Sequence, residues 1–224
     1  FSDKPSSDYE YSIFDMADML DKLLMHLNLN RVVLIAHDVS DTVVEEILRR
    51  DSLNNQNHYS IEKCILLNGG IFIDIYQPVL SQKILRTKPL NNFFAKYLFK
   101  FFIFKQTFNK IFGNLNPPNS TELYDFFLSI KYNRGNEILP LTINYMADRE
   151  QYDEVWRDAL NETKREVAFI YGPADPINPR RKFPTKLREE MPNVKLHVLS
   201  DMIGHYPQYE DPFTVFEIIR QYLK

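Results

Sequence analysis

Three short segments of the sequence contain residues that could carry out a hydrolytic reaction together. Asp38 lies in the middle of Ala36–Ser40, with one small residue two positions before it and another two positions after it. Asp175 and His205 follow along the chain, in that order. A carboxylate can attack an electrophilic carbon, and a histidine oriented by a second carboxylate can activate the water that cleaves the resulting ester.

The segment around Asp38 is typical of a sharp turn from a strand into a helix. Small flanking residues let the two elements approach closely while one side chain is pushed out above the sheet. Ser40 is an alternative nucleophile, but its own flanking residues would be Asp38 and Thr42, and Asp38 is not small. Taken alone, Asp38 would be interpreted as a helix N-cap or a loop acid. The order nucleophile, acid, histidine favours the catalytic interpretation.

Four apolar runs predict the strands that would carry these residues. They are Arg31–Ala36, Cys64–Leu67, Val167–Tyr171 and Val194–Leu199. The first three suit strands that are buried on both faces of a parallel sheet, and the fourth alternates more. Asp38, Asp175 and His205 each follow one of these runs. We therefore expect them at the same edge of the sheet, where such folds place their chemistry.

Helical patterns lie between the predicted strands. Ser12 and Asp15 form a capping-box pattern, and apolar residues then recur at helical spacing up to Leu27. Strand signals are absent between about 74 and 158, which predicts an inserted helical cap. The expected fold class is α/β with a mostly parallel sheet. The predicted division is a first part of the core over 1–73, a cap over 74–158 and a second part of the core over 159–224.

Several segments resemble the epoxide hydrolase-like branch of the α/β-hydrolases. They are Phe1–Pro5, Ala36–Asp41, Asn68–Phe72, Tyr171–Pro179 and His205–Pro212. The resemblance covers nearly the whole chain and implies that Asp38, Asp175 and His205 occupy the nucleophile, acid and histidine positions. It also implies that the N–H of Val39 stabilises an oxyanion and that the protein is located at the endoplasmic reticulum membrane.

Three departures from the family pattern bear on activity. The family has an earlier His-Gly-x-Pro loop that the 224 residues lack, so the first strands and a second oxyanion donor are expected to be missing from them. Ser40 stands where the family usually has glycine, and Val39 stands where haloalkane dehalogenases have tryptophan. We therefore expect an ester mechanism without dehalogenase specificity. The alternative is a catalytically silent interaction protein at a membrane surface.

The predicted cap contains the residues expected to meet a substrate. Its many phenylalanines favour a small or lipid-like apolar substrate, although aromatic clusters also form ordinary cores. By the family resemblance, Tyr145 is the expected proton donor. His37, next to Asp38, is the other predicted substrate-binding residue. Three weaker tyrosine candidates are Tyr97, Tyr124 and Tyr132.

Charge and composition narrow the range of partners. The net charge of -3 gives no general reason to expect nucleic acid. Four lysines lie among the cap aromatics, a mixture that favours peripheral membrane contact. They are Lys96, Lys100, Lys105 and Lys110. The sequence contains no run of about 18 apolar residues, so it predicts no transmembrane helix. The sequence does not indicate an oligomeric state.

No cofactor or metal site is predicted. Cys64 lies in an apolar run and is expected to be a buried thiol. His26, His58 and His197 lack metal-ligand spacing to other histidines, cysteines or carboxylates. Two less well placed alternatives to Asp175 as the acid are Asp74 and Asp201.

Overall fold

A parallel four-stranded sheet forms the centre of the protein. The computed structural model describes residues 2–5, 9–53 and 58–223, and in these the strand order is β1-β2-β3-β4. The strands are β1 (Arg31–His37), β2 (Ser60–Leu67), β3 (Glu166–Tyr171) and β4 (Lys195–Val198). Each neighbouring pair is parallel. The predicted parallel sheet is confirmed, whereas Phe1, part of one family-like segment, lies outside the described residues.

Helices precede the first strand, connect the strands and follow the last one. They are α1 (Ile13–His26), α2 (Val39–Ser52), α3 (Leu80–Arg86), α4 (Leu90–Phe93), α5 (Phe101–Phe108), α6 (Ser120–Lys131), α7 (Leu139–Thr142), α8 (Tyr145–Glu162), α9 (Lys182–Glu190), α10 (Pro207–Glu210) and α11 (Pro212–Tyr222). The predicted capping box at α1 is present. Asp15 N–H donates to Ser12 Oγ at 3.1 Å, and Ser12 N–H donates to the Asp15 carboxylate at 3.2 Å.

Two hydrophobic layers cover the two faces of the sheet. Leu66 and Phe169 belong to the larger layer, together with apolar residues of α1, α2, α8 and α9. Ile65 and Ile170, their neighbours on the strands, face the other layer, which α11 covers. Because both faces of β2 and β3 are covered, their central positions, Cys64–Leu67 and Val167–Tyr171, are occupied by apolar or aromatic residues. Cys64 is buried in β2, as predicted.

The segment between β2 and β3 is helical. Residues 80–162 are all described and contain six helices and no strand. The segment also includes one π-helical turn, Phe94–Leu98, and two 3-10 turns, Asn109–Ile111 and Tyr132–Ile138. At its end, α8 packs on α2, where Trp156 Nε1 donates to Glu46 Oε2 at 2.9 Å. Among the described residues, no helix combines the length and apolar character needed to cross a bilayer.

Candidate active site

Asp38 lies at a strained turn between β1 and α2. Its backbone has φ 57° and ψ −118°, a region that residues with a Cβ rarely adopt and that costs of order 1–3 kcal/mol. Backbone hydrogen bonds hold this conformation, because Asp38 N–H donates to Leu67 O at 3.1 Å and Asp38 O accepts from Asp41 N–H at 3.1 Å. The Asp38 side chain is therefore directed above the carboxyl end of the sheet, and it is 32% exposed.

His205 lies between the two carboxylates that the sequence predicts as its partners. Its Nε2 atom is 3.6 Å from Asp38 Oδ2, and its Nδ1 atom is 3.1 Å from Asp175 Oδ2. The imidazole is nearly fully buried. The three residues are far apart in the chain, but they follow β1, β3 and β4 and so meet at one edge of the sheet.

Asp175 is held as an acceptor by groups on its own loop. Its Oδ1 atom accepts from Ile177 N–H at 2.9 Å, and its Oδ2 atom accepts from Asn178 Nδ2 at 3.1 Å. Because Oδ2 also meets His205 Nδ1, that ring nitrogen must carry the hydrogen. This tautomer leaves His205 Nε2 free to accept a proton on the side of Asp38.

Asn68 joins the loops of the acid and the histidine. Its side chain is buried at the end of β2, where Nδ2 donates to Gly204 O at 2.8 Å and Oδ1 accepts from Gly172 N–H at 2.9 Å. The two glycines allow this close approach, because a Cβ on Gly172 would lie 2.2 Å from Gly204 O. Sequence reasoning did not assign Asn68 a role. Its signal was the Asn-Gly-Gly sequence directly after a predicted strand.

Glu210 ties the histidine loop to the helical segment. Its Oε2 atom accepts from Gly204 N–H at 2.9 Å and from Gly113 N–H at 2.7 Å. In addition, His205 N–H donates to Ile111 O at 2.8 Å. The backbone of His205 is thus bonded to the segment that precedes α6. This role of Glu210 was also not foreseen from the sequence.

The charges of the three residues support one another. Burial by itself would lower the pKa of His205, but the charges of Asp175 and Asp38 outweigh it and raise that pKa well above its usual range. Burial opposes ionisation of Asp38, yet the charge and hydrogen bond of His205 lower the pKa of Asp38 below its usual range. The pair therefore favours a carboxylate on Asp38 beside an imidazolium.

His37 contacts the backbone of the histidine loop. A carbonyl oxygen can only accept, so His37 Nε2 donates to His205 O at 2.8 Å. Burial, and then the charge of His205, lower the pKa of His37. His37 is not among the residues that line the cavity above Asp38.

Val39 and Ser40 begin α2 directly after Asp38. The N–H of Val39 has no acceptor within the helix because the first N–H groups of any helix lack one, so it is available to an oxyanion. Ser40 is exposed and lines a separate apolar groove beside β1 with Met16, Leu20 and Val43. The structure thus separates Ser40 from the cavity that contains Asp38 and His205.

A mainly apolar cavity of about 280 Å³ lies above Asp38 and His205. Its walls come chiefly from α3, the π-helical turn and α5, with Ile177 and Tyr206 from the sheet side. The apolar wall residues are Val79, Leu85, Phe94, Phe99, Ile103, Phe104, Phe108, Ile111, Ile130, Leu139 and Ile177. Polar groups are few beyond Asp38 and His205, so these two residues lie in mainly apolar surroundings.

Two tyrosines, the buried Tyr145 and the partly buried Tyr76, form a hydrogen-bonded pair beside this cavity. Gln82 Nε2 donates to Tyr76 Oη at 2.6 Å and to Tyr145 Oη at 2.9 Å, and the two hydroxyls are 3.4 Å apart. Burial, and then the negative charge of Asp38, raise the pKa of both tyrosines. Both phenols therefore stay protonated at neutral pH. Tyr145 was predicted from the sequence but, like His37, is not among the residues that line the cavity, whereas Gln82 lines it and was not predicted. Tyr76 was also not predicted.

The remaining predicted candidates lie apart from the three central residues. Asp74 pairs with Lys186 at 2.7 Å and Asp201 pairs with Arg180, and both aspartates are exposed. His197 Nε2 is 2.6 Å from Tyr222 Oη. The other two histidines and the three weaker tyrosine candidates are exposed: His26, His58, Tyr97, Tyr124 and Tyr132. No group of three or more histidines, cysteines or acids in the described ranges could hold a metal ion.

Comparison with known proteins gives relatives along most of the chain. The mesoderm-specific transcript homolog protein of Bos taurus is 37% identical over 214 residues, and the mouse protein is equally similar. The match covers 95% of this chain and 64% of either relative, so the chain spans less than two thirds of their length. LipZ of Mycobacterium tuberculosis, which is named as a proposed hydrolase, is 29% identical to this chain. The match covers 94% of this chain and 71% of LipZ. No protein-family model matches the chain.

Several solved structures have a fold similar to that of this chain. The haloalkane dehalogenase DbeA from Bradyrhizobium elkani superposes with a TM-score of 0.76 at 14% identity, covering 97% of this chain and 75% of that one. The epoxide hydrolase CorEH gives a TM-score of 0.71 at 14% identity, covering 98% and 77%. At such low identity these likenesses concern the fold alone, and the fold they share is that of the α/β-hydrolases.

Proposed function

We propose that the chain, which has the α/β-hydrolase fold and resembles the mesoderm-specific transcript proteins, is an epoxide hydrolase-like enzyme with an aspartate nucleophile. The observation that carries the proposal is the set of contacts from Asp38 through His205 to Asp175, at 3.6 Å and 3.1 Å. In this proposal Asp38, Asp175 and His205 form a catalytic triad, and the segment 74–158 is the cap.

In the first step, a carboxylate oxygen of Asp38 attacks an electrophilic carbon of the substrate. For an epoxide, the C–O bond of the ring breaks and the ring oxygen takes a proton from the Tyr145 hydroxyl. The lowered pKa of Asp38 keeps the nucleophile ionised. Gln82 donates to Tyr145 Oη and so stabilises the phenolate that forms, and this phenolate later regains a proton from solvent. The product of this step is an alkyl ester on Asp38.

In the second step, water cleaves the ester. Esterification removes the charge of Asp38, which is one cause of the raised pKa of His205, so the imidazolium more readily releases its proton to solvent and becomes a neutral base. His205 Nε2 takes a proton from water, and the resulting hydroxide attacks the carbonyl carbon of the ester. The Val39 N–H holds the oxyanion, which then expels the alkoxide. The alkoxide takes the proton from His205 to give the diol. The acid proton left on Asp38 then passes to His205, which restores the carboxylate beside an imidazolium.

We propose a small or lipid-like apolar substrate. The support is the composition of the cavity wall, in which aliphatic and aromatic residues predominate over polar ones. We also propose, from the sequence resemblance, that the protein acts at the endoplasmic reticulum membrane. Fluorescence microscopy of the tagged full-length protein with an organelle marker tests this location, and a diffuse signal would contradict it.

A single turnover in heavy-oxygen water tests the nucleophile directly. When water attacks the ester carbonyl, its oxygen remains in the aspartate and the original aspartate oxygen leaves in the product. We expect mass spectrometry to find one heavy oxygen in the peptide that contains Asp38 after turnover of an epoxide. A heavy oxygen only in the product would overturn the proposal, because water would then have attacked the substrate itself.

Two variants complete this experiment. His205→Gln removes the base of the second step, so an ester should accumulate on Asp38 and be visible as an adduct. Ser40→Ala is the control, because Ser40 lies outside the cavity, and it should leave turnover unchanged. Fluorophosphonate labelling of Ser40 would instead favour a serine nucleophile. Absence of both adduct and turnover would favour the silent interaction protein.

A further inference from the structure

The helices that wall the cavity carry a concentration of positive charge. Between residues 75 and 121 the chain has seven lysines and arginines and no acidic residue, a net charge of +7 within a chain whose total is -3. The seven residues are Lys83, Arg86, Lys88, Lys96, Lys100, Lys105 and Lys110. Only Arg86 of these has an acidic partner within ion-pair distance, Glu150, in the described residues. The charge is therefore mostly available to an anionic partner.

Large apolar side chains are exposed on the same helices. Leu90, Phe93 and Tyr97 follow one another at helical spacing, and each is more than half exposed. The rings of Phe93 and Tyr97 are 5.4 Å apart, and Lys96 Nζ lies 5.5 Å from the centre of the Tyr97 ring. Phe102 on α5 is 69% exposed. We call the exposed set Leu90, Phe93, Lys96, Tyr97, Lys100 and Phe102 the basic aromatic face.

Residues of the π-helical turn and α5 next to the basic aromatic face line the cavity. Phe94 lies between exposed residues of the basic aromatic face and lines the cavity, and Phe99, Ile103 and Phe104 do the same beside Phe102. This arrangement explains why the segment is apolar on nearly every side. One side encloses the space above Asp38, and the other side faces outward.

We propose that the basic aromatic face docks the protein on an anionic lipid bilayer, so that the cavity lies directly beneath the lipid surface. Aromatic and aliphatic side chains at a water boundary insert into the region between headgroups and acyl chains, while neighbouring lysines attract anionic headgroups. An acidic protein would match the lysines, but it would not by itself match four large apolar side chains. A bilayer matches both.

Docking would also determine where substrate comes from. If the proposed hydrolase activity is correct, an apolar substrate dissolved in the bilayer has only the width of one helical layer to cross before it reaches Asp38. This second statement rests on the proposed function, whereas docking itself does not. The two can therefore fail separately.

Sedimentation with lipid vesicles tests docking. The full-length protein is mixed with vesicles of phosphatidylcholine alone or of phosphatidylcholine with phosphatidylserine. We expect cosedimentation only with the anionic vesicles, decreasing as salt is added because salt screens the lysines. Equal binding to both kinds of vesicle, or binding to neither, would overturn the proposal.

Matched variants locate the surface. We expect Phe93→Ser with Phe102→Ser to weaken binding at least about tenfold, and Lys96→Glu or Lys100→Glu to weaken it about fivefold or more each. The controls are Phe213→Ser with Phe216→Ser on α11, which are also exposed, and Lys22→Glu on α1. Thermal unfolding of every variant checks the fold. Equal losses in variants and controls would contradict the assignment of this face.

A chemically inactive variant separates docking from hydrolysis. Asp38→Asn should bind anionic vesicles as the unmodified protein does, because Asp38 lies in the cavity. If the unmodified protein hydrolyses an apolar epoxide, the face variants should lose activity on substrate held in vesicles and keep it on dispersed substrate. Equal activity in both forms would overturn delivery from the bilayer while leaving the hydrolase proposal intact.

Discussion

The edge of the sheet and the helical segment over it are built from different interactions. At the edge, buried polar groups such as Asn68 and Glu210 bond backbone atoms of several loops at once. In the helical segment, aromatic rings pack on one another, as where Phe104 stacks on Phe108 at 4.6 Å and contacts Phe127 at 5.7 Å. Hydrogen bonds fix directions, whereas ring packing tolerates exchange of similar volumes. If the proposed function is correct, we expect the edge to determine the reaction and the helices to determine which molecule reacts.

The largest expected difference between the two regions concerns turnover. Asp38→Asn should lower kcat/KM for an epoxide by about 10³-fold or more because it removes the proposed nucleophile. Phe104→Leu, in the cavity wall, should change kcat/KM by about tenfold or less and shift the preferred substrate toward a larger one. Steady-state kinetics over substrates of increasing length measure both. Similar losses in the two variants would break the comparison.

The next difference concerns stability. Asn68→Leu leaves the Gly172 N–H and Gly204 O without their buried partner, which should lower the free energy of unfolding by about 3 kcal/mol. Asn92→Leu, at an exposed position in the helical segment, should change it by less than about 0.5 kcal/mol. Urea unfolding of both variants provides the measurement. A small effect at Asn68 would mean that the loops hold their positions without it.

The pKa of His205 gives an electrostatic test of the comparison between the sheet edge and the helical segment. Asp38→Asn removes a negative charge 3.6 Å from His205 Nε2, so the pKa of His205 should fall. A histidine whose pKa is raised in the folded state stabilises the fold at pH values below its unfolded-state pKa, which is near 6.5. This contribution is lost as the pH rises through the folded-state pKa. The variant should therefore lose part of this contribution to stability in acid, because Asp175 still raises the pKa of His205. NMR titration of the ring measures the pKa, and Asp74→Asn, at an exposed aspartate, should leave it unchanged.

The smallest expected effect concerns backbone strain. Relative to Asp38→Asn, which lacks the same charge, Asp38→Gly should raise the free energy of unfolding by about 1 kcal/mol, because glycine adopts φ 57° and ψ −118° without a clashing Cβ. Asn133 in the helical segment also has positive φ, but at φ 48° and ψ 45° asparagine is well tolerated. Asn133→Gly should bring no such gain. Thermal unfolding of the two variants compares them, and equal shifts would contradict strain specific to the Asp38 turn.

The sequence predicted the sheet better than it predicted the contacts around the site. The strands and the positions of Asp38, Asp175 and His205 follow from local patterns, since apolar runs and turn residues are read within a few positions. Asn68 and Glu210 escaped prediction because their partners lie up to 136 residues away. Periodicity also failed to divide the phenylalanines of 93–104 into cavity wall and exposed face, because they occur on nearly every side of their helices.

The bonds between the histidine loop and the helical segment restrict how the cavity can open. His205 N–H is bonded to Ile111 O, and Glu210 joins Gly204 to Gly113. If the helical segment moves as a lid in the proposed enzyme, a hinge at this point would break hydrogen bonds to the loop of His205 at every opening. We therefore expect the part near Ile111 to stay in place and the movement to occur in α3, α4 and the π-helical turn, on the side of the basic aromatic face.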